Sequence, residues 1–247
     1  MKTILITGCS SGFGAATATW FLERDWRVIA TMRTPNDDVL PRSPNLRVIA
    51  LDVTDPDSIA RAVAAAGPID VLVNNAGVGM LGALEGTSMT TARAVFDTNA
   101  LGTIAMTQAV LPQFRLRQAG VVINVTSAVT LLPLPLLSVY TASKAAVNAF
   151  TESLALELAQ FNIRAHLVLP GRAPATRFGE NARAHMADAI PEAYAALAAD
   201  VFEAWGQPGP ITEAADVAAA VWQAATDPAA PVRIPAGADA VALATKG

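Results

Sequence analysis

Short apolar runs alternate with longer alanine-rich stretches along this chain. The runs are Ile4–Ile6, Val28–Ala30, Leu46–Ala50, Val71–Val73, Val121–Val125 and Ala165–Leu169. They are near-continuous in Val, Ile and Leu rather than alternating with polar residues, which predicts strands of a parallel sheet buried on both faces. Stretches near 13–24, 56–66, 88–118, 138–161 and 213–226 carry helical patterns, and Thr54-Asp55-Pro56 reads as a helix start with proline in the first turn. This alternation predicts one doubly wound α/β domain over residues 1–247, a parallel sheet with helices on both faces. The rhythm breaks over about 172–210, which holds Gly179, Pro191, Gly206, Pro208, Gly209 and Pro210. An irregular insertion after a parallel strand, where ligands bind such sheets, reads as a substrate lid; a surface helical hairpin without function is the alternative.

Composition narrows the function classes. Hydrophobic residues make up 53% of the 247 positions and charged residues 15%, which excludes disorder as the global state. Alanine fills 52 positions, in keeping with the helical stretches. The net charge is −4, and the 17 basic residues are scattered, with no stripe to follow a nucleic acid backbone. Cys9 is the single cysteine, so an intramolecular disulfide is impossible. The apolar run near Met1 is too short for a signal-peptide core. The uncharged stretch Gln118–Ser143 contains Asn124, Pro133 and Pro135 and reads as buried strand plus loop, not a membrane span. These features together suggest a cytoplasmic protein. His166 and His185 have no metal-ligand spacing, and no metal is expected.

The first strand leads into Thr7-Gly8-Cys9-Ser10-Ser11-Gly12-Phe13-Gly14, and a helix follows. Gly8 permits a tight turn, Gly12 and Gly14 permit close approach, Ser10 and Ser11 add hydroxyls, and a helix N-terminus attracts a pyrophosphate. The spacing is G-x-x-x-G-x-G, not the more familiar G-x-G-x-x-G, and a plain strand–helix turn would read the same way. Farther on stand Asn74-Asn75-Ala76-Gly77, Asn99, Ser127 and Tyr140-x-x-x-Lys144. Tyr140 and Lys144 are four apart, on one helix face, where a nearby ammonium, together with the positive ring of a bound oxidised cofactor, would draw a phenol down into the acid/base range. Ser127 would hydrogen-bond the same reacting oxygen.

In order and spacing, these motifs from Thr3 to about Gly171 resemble the short-chain dehydrogenase/reductase family. The stretch Ala30-Thr31-Met32-Arg33 and the ending Arg233–Asp239 resemble its hydroxysteroid and retinol dehydrogenase branch. The resemblance implies a Rossmann-type fold and a nicotinamide-dependent oxidoreductase, a carbonyl reductase or alcohol dehydrogenase. It implies Asn99, Ser127, Tyr140 and Lys144 as catalytic residues, with Lys144 holding the nicotinamide ribose and Asn99 supporting a relay water. It places Asp52 and Val53 by the adenine, Asn75, Ala76 and Gly77 along the ribose, and Pro170 and Gly171 by the nicotinamide. Asn74 more simply pins neighbouring strands. Phe13 replaces the usual Ile or Leu. Where the family often has a threonine, this chain has Ala175, with Thr176 one step later.

The end of the second strand bears on the cofactor. Met32 stands where an NAD enzyme wants an acid for the ribose hydroxyls, and Arg33 follows, suited to a 2′-phosphate. NADP(H) is therefore expected over NAD(H), with Arg33 as a solvated adenine-stacking charge the alternative. The apolar segment Leu131–Leu137, extended by Met80, Leu81 and Phe178, suits a hydrophobic small-molecule carbonyl or alcohol, or else packs against the lid or a partner subunit. Arg172 and Arg177 enter the insertion as candidate partners for an acid group or as surface charges. The small-residue helices over 97–118 and 140–161 resemble those that pair subunits in the family, so a homodimer or homotetramer is expected. An NAD-dependent alcohol dehydrogenase and a non-catalytic dinucleotide sensor are the competing readings.

Overall fold

Ile4, Leu5 and Ile6 explain the continuous apolar runs: Ile4 and Ile6 enter one hydrophobic core and Leu5 the other. A strand sends successive side chains to opposite faces, so a sheet covered on both sides needs apolar residues at every position. The computed structural model describes residues 1–176 and 190–245. Among them, seven strands form one sheet: β1 (Thr3–Ile6), β2 (Arg27–Met32), β3 (Leu46–Ala50), β4 (Val71–Asn74), β5 (Gly120–Val125), β6 (Ile163–Pro170) and β7 (Arg233–Ala236). The order is β3-β2-β1-β4-β5-β6-β7 and all pairs are parallel.

The helices are α1 (Gly12–Leu22), α2 (Pro56–Ala66), α3 (Met89–Phe96), α4 (Gly102–Arg117), α5 (Ser138–Leu158), α6 (Ala195–Gly206), α7 (Ala214–Thr226) and α8 (Ala238–Ala244). Phe21 of α1 and Val217 and Val221 of α7 cover one face of the sheet. Ile59 of α2, Met106 and Phe114 of α4, and Leu154 and Leu158 of α5 cover the other. Each such buried side chain contributes roughly 1.5–3 kcal/mol over exposure. Local signals set the helix starts. Asp55 caps α2 by accepting from the Asp57 N–H at 2.9 Å, with Pro56 in the first turn, and Ser88 caps α3 through the Thr91 N–H at 3.0 Å.

Three features depart from the sequence expectation. The helix expected over 88–118 is split: α3 passes through a π-helical turn, Asp97–Leu101, into α4. Strand β7 was not foreseen, because Pro235 sits inside it. It is an edge strand, where a missing N–H is tolerated. The insertion over 172–210 contains an ordered helix, α6, which packs Ala198 and Val201 against Leu81, Ala83 and Leu136. Arg177, Phe178, Gly179 and His185 lie outside the described residues.

Candidate active site

The strand order reverses between β2-β1 and β1-β4, and an open parallel sheet forms its crevice at such a point, beyond the carboxyl ends of its strands. A cleft of about 400 Å³ opens there. Gly8, Ser10, Ser11, Gly12 and Phe13 line it from the turn after β1, and Arg33 from the end of β2. Asp52 and Val53 line it after β3, and Asn75, Ala76 and Gly77 after β4. Gly12 holds φ +58° at the cleft wall. Ser11 at the N-cap of α1 makes no side-chain cap bond and no acid occupies the first turn, so the helix presents its first N–H groups to an anion. Arg33 and Asp52 are the charged side chains lining the cleft among the described residues. Asp52 Oδ1 accepts from Thr54 N at 2.9 Å and Thr54 Oγ1 at 2.7 Å. Those bonds, helped by the Arg33 charge, hold its carboxyl below the usual value. The donor set fits a dinucleotide: N–H groups and hydroxyls for phosphate, with a guanidinium and a carboxylate in the same lining.

Gly14 does not line the cleft. A Cβ there would collide with the Gly8 carbonyl and come within 2.6 Å of Asn75 Nδ2, so this glycine lets α1 pack onto the loop. Asn75 in turn donates to Thr7 O at 2.9 Å and Gly8 O at 3.1 Å, tying the β4 loop to the β1 loop. Asn74 bridges Thr107 at 3.0 Å and Asn124 at 2.8 Å, the strand-pinning role expected of it. Pro170 is buried at the end of β6, and Gly171 lies with its bare Cα against the Asp239 carboxylate; neither lines the cleft. The cleft adds Val78, Thr98 and Thr176, to which no role had been assigned. Thr98 and Val78 carry no signal of their own in sequence; they arrive with their neighbours Asn99 and Gly77.

Next to Gly77 stand two of the four catalytic candidates, Asn99 and Lys144. Asn99, in the π-helical turn, clasps Val78 from both sides: Oδ1 accepts from its N–H at 2.8 Å and Nδ2 donates to its carbonyl at 2.9 Å. The same Nδ2 donates to Ser143 Oγ at 3.0 Å. A Cβ on Gly77 would lie 3.2 Å from Asn99 Oδ1 and 3.4 Å from Lys144 Nζ, which brings these groups to one place. Tyr140 and Lys144 sit one turn apart on α5, 5% and 6% exposed. Lys144 Nζ donates to Val125 O at 3.0 Å, and burial lowers its pKa to about 8. Tyr140 hydrogen-bonds Ser127 through their side chains. Burial pushes the Tyr140 phenol above its ordinary value, and the Ser127 bond only partly opposes this. Two hydroxyls converge at one point, and Lys144 lies one helical turn from Tyr140 on α5. The arrangement can donate two hydrogen bonds to a single oxygen and deliver a proton to it.

The apolar surroundings divide. Met80, Val95 and Leu137 pack with Tyr140, whereas Leu81 and Leu136 turn to α6. Leu131 to Leu137 thus serves partly as a wall of the site and partly as a seat for the insertion. Arg172 Nη1 donates to Trp205 O at 2.6 Å. His166 is buried between Arg164 Nη1 at 3.0 Å and Pro231 O at 2.9 Å, and burial lowers its pKa, a structural role. No cluster of metal-ligating side chains, and no helix long and apolar enough to cross a membrane, occurs among the described residues.

The family model for short chain dehydrogenase matches residues 2–187. Retinol dehydrogenase 8 of Bos taurus is 41% identical over 184 residues, covering 69% of this chain and 58% of that protein. Estradiol 17-beta-dehydrogenase 1 of Rattus norvegicus is 38% identical over 183 residues, covering 67% and 52%. The match thus spans little more than half the length of these relatives. A short-chain dehydrogenase from Streptomyces avermitilis superposes with a TM-score of 0.85 at 35% identity, over 99% of this chain and 91% of that one. A Burkholderia cenocepacia short chain dehydrogenase in complex with NADP gives 0.79 at 28%, over 99% and 93%. A Burkholderia phymatum short chain dehydrogenase/reductase in complex with NAD gives 0.79 at 26%, over 95% and 88%. With this fold, this cleft and these relatives, the chain belongs to the short-chain dehydrogenase/reductase family of oxidoreductases, in its hydroxysteroid and retinol dehydrogenase branch.

Proposed function

We propose that this protein is an NADP(H)-dependent oxidoreductase that interconverts a ketone or aldehyde and the corresponding alcohol on a hydrophobic small molecule. The observation that carries this reading is the buried Ser127–Tyr140 hydroxyl pair, one helical turn from Lys144, whose ammonium stands by Gly77 in the cleft wall. Bound NADPH supplies the hydride that adds to the carbonyl carbon. Ser127 and Tyr140 hold the carbonyl oxygen by hydrogen bonds, which fixes its position and stabilises the charge that develops on it. The Tyr140 O–H bond breaks and its proton goes to that oxygen, leaving a phenolate beside the Lys144 ammonium. In the reverse direction the phenolate takes the alcohol proton. Asn99 acts by holding Val78 and the π-helical turn, and so the floor between the cleft and Tyr140.

Arg33 supports NADP(H): it is the cation among the described residues lining the cleft, at the end of β2, where Met32 offers a ribose no acceptor pair. The apolar packing of Met80, Val95 and Leu137 on Tyr140 supports an apolar substrate. Leu101, Ile104 and Leu116 along 97–117 and Leu156 on α5 are exposed apolar side chains, which supports assembly of a homodimer or homotetramer through these helices. The single cysteine, buried and therefore free of any structural bridge, suits a cytoplasmic protein. The test is steady-state oxidation of NADPH and NADH with a panel of apolar ketones and aldehydes. Turnover with NADPH well above NADH supports the whole reading. A preference for NADH removes the Arg33 argument alone, and turnover with neither, despite cofactor binding, leaves a substrate class outside the panel or the non-catalytic sensor.

A further inference from the structure

The insertion after β6 begins and ends in one hydrogen-bonded knot. Thr212 N donates to Arg172 O at 2.8 Å, and Gly171 N donates to Thr212 Oγ1 at 2.8 Å. Thr212 is 2% exposed. Its hydroxyl lies 2.7 Å from Asp239 Oδ1 and 2.8 Å from Ala236 O, so its one proton is shared between two acceptors. Asp239 Oδ2 accepts from Arg172 N at 2.5 Å. The first turn of α8 thus clamps both ends of the excursion.

From this knot the Arg172 side chain reaches across to the far end of α6. Its Nη1 donates to Trp205 O at 2.6 Å and Gln207 O at 3.2 Å, the carbonyls where that helix stops. A helix C-terminus has carbonyls without partners and a negative dipole end, so a guanidinium there is favourable on both counts. The other side of α6 rests on Leu136. That residue adopts φ +63°, a conformation that costs a branched side chain free energy, and it is 7% exposed against Ala198 and Val201. Leu137, its neighbour, packs both there and against the Tyr140 cluster. A continuous line of contacts runs from Arg172 through α6 and Leu136–Leu137 to Tyr140.

We propose that Arg172, held by Asp239 and Thr212, is a specificity-positioning residue: it fixes α6 and Leu136 as the far wall of the substrate site, and so sets the preference for bulky over small apolar carbonyls. This rests on the function proposed above. Arg172 touches neither cofactor nor reacting atoms; it acts through the helix it tethers.

The test compares 2-acetylnaphthalene with propanal as substrates for the wild type, Arg172→Ala and the conservative Arg172→Lys. A change in the fit of an apolar pocket alters discrimination by roughly 10–200-fold. Arg172→Ala is expected to raise KM for 2-acetylnaphthalene at least about tenfold at nearly constant kcat, with propanal kinetics and NADPH affinity within about twofold of wild type. Arg172→Lys, which reaches one carbonyl in place of two, recovers part of the loss, and Asp239→Asn loosens the knot in the same direction. Equal losses for both substrates, a fall in NADPH affinity, or unchanged discrimination would overturn the proposal. If the wild type turns over neither substrate, the functional reading fails. Equilibrium binding of 2-acetylnaphthalene, followed by its own fluorescence, together with hydrogen exchange in 195–206, still decides the tether. Weaker binding and faster exchange in Arg172→Ala support it; identical values in both proteins refute it.

Discussion

Replacing Lys144 with methionine should stabilise the protein at neutral pH while removing most of its activity. Burial lowers the lysine from its ordinary 10.5 to about 8; at 1.36 kcal/mol per pH unit, the buried ammonium costs the fold about 3 kcal/mol wherever both states carry the proton. Methionine fills a similar volume without that cost. It leaves the Val125 carbonyl without the 3.0 Å bond from Nζ, a loss of about 1 kcal/mol. The net expectation is a gain of about 2 kcal/mol near pH 6.5. Between the folded value of about 8 and the unfolded 10.5, the unfolded chain binds more protons, so wild-type stability rises with pH across that window. Near pH 9.5 about 2 kcal/mol of the penalty is gone, and the two proteins should be nearly equal. Urea unfolding without added cofactor, at both pH values, measures this, and other titrating groups cancel in the difference between the proteins. A wild type as stable as the variant near pH 6.5, or a difference that does not change with pH, would refute the claim that Lys144 is a buried charge kept for function.

Other substitutions separate the parts of the site. Tyr140→Phe keeps the ring against Met80, Val95 and Leu137 and should lower turnover about 10²–10⁴-fold, with NADPH affinity in a fluorescence titration unchanged. Arg33→Ala should weaken NADPH binding by about 1.5–3 kcal/mol, the worth of a charged hydrogen bond, and leave NADH binding within about twofold; equal weakening of both would remove the phosphate role. Gly14→Ala places a methyl group against the Gly8 carbonyl and Asn75, so a thermal melt should fall by several degrees and NADPH binding should be lost with the deformed loop.

The sheet was legible because burial on both faces writes itself into consecutive positions: Ile4, Leu5 and Ile6 are all apolar because each has a core to fill. The spacing of Tyr140 and Lys144 placed both on one helix face, where the structure has them. What could not be read depends on contacts distant in sequence. The π-helical turn at Asp97–Leu101 exists where Asn99 binds the backbone of Val78, 21 positions away. Gly171 is packed by a residue distant in sequence: its bare Cα faces Asp239 in the first turn of α8, the helix that follows β7, the strand that Pro235 disguised. Arg172 read as a surface charge or an acid reader, because nothing local shows that Trp205 and Gln207 will lie within its reach.

The central claim is that Tyr140 protonates a carbonyl oxygen while hydride reaches the adjacent carbon. Deuterium at the transferable position of the reduced nicotinamide of NADPH, with 2-acetylnaphthalene as acceptor, tests it most directly in wild type and Tyr140→Phe. The account predicts an alcohol labelled at its carbinol carbon, formed by the variant about 10²–10⁴-fold more slowly at unchanged cofactor affinity. An unlabelled product, or a variant as fast as the wild type, would contradict it.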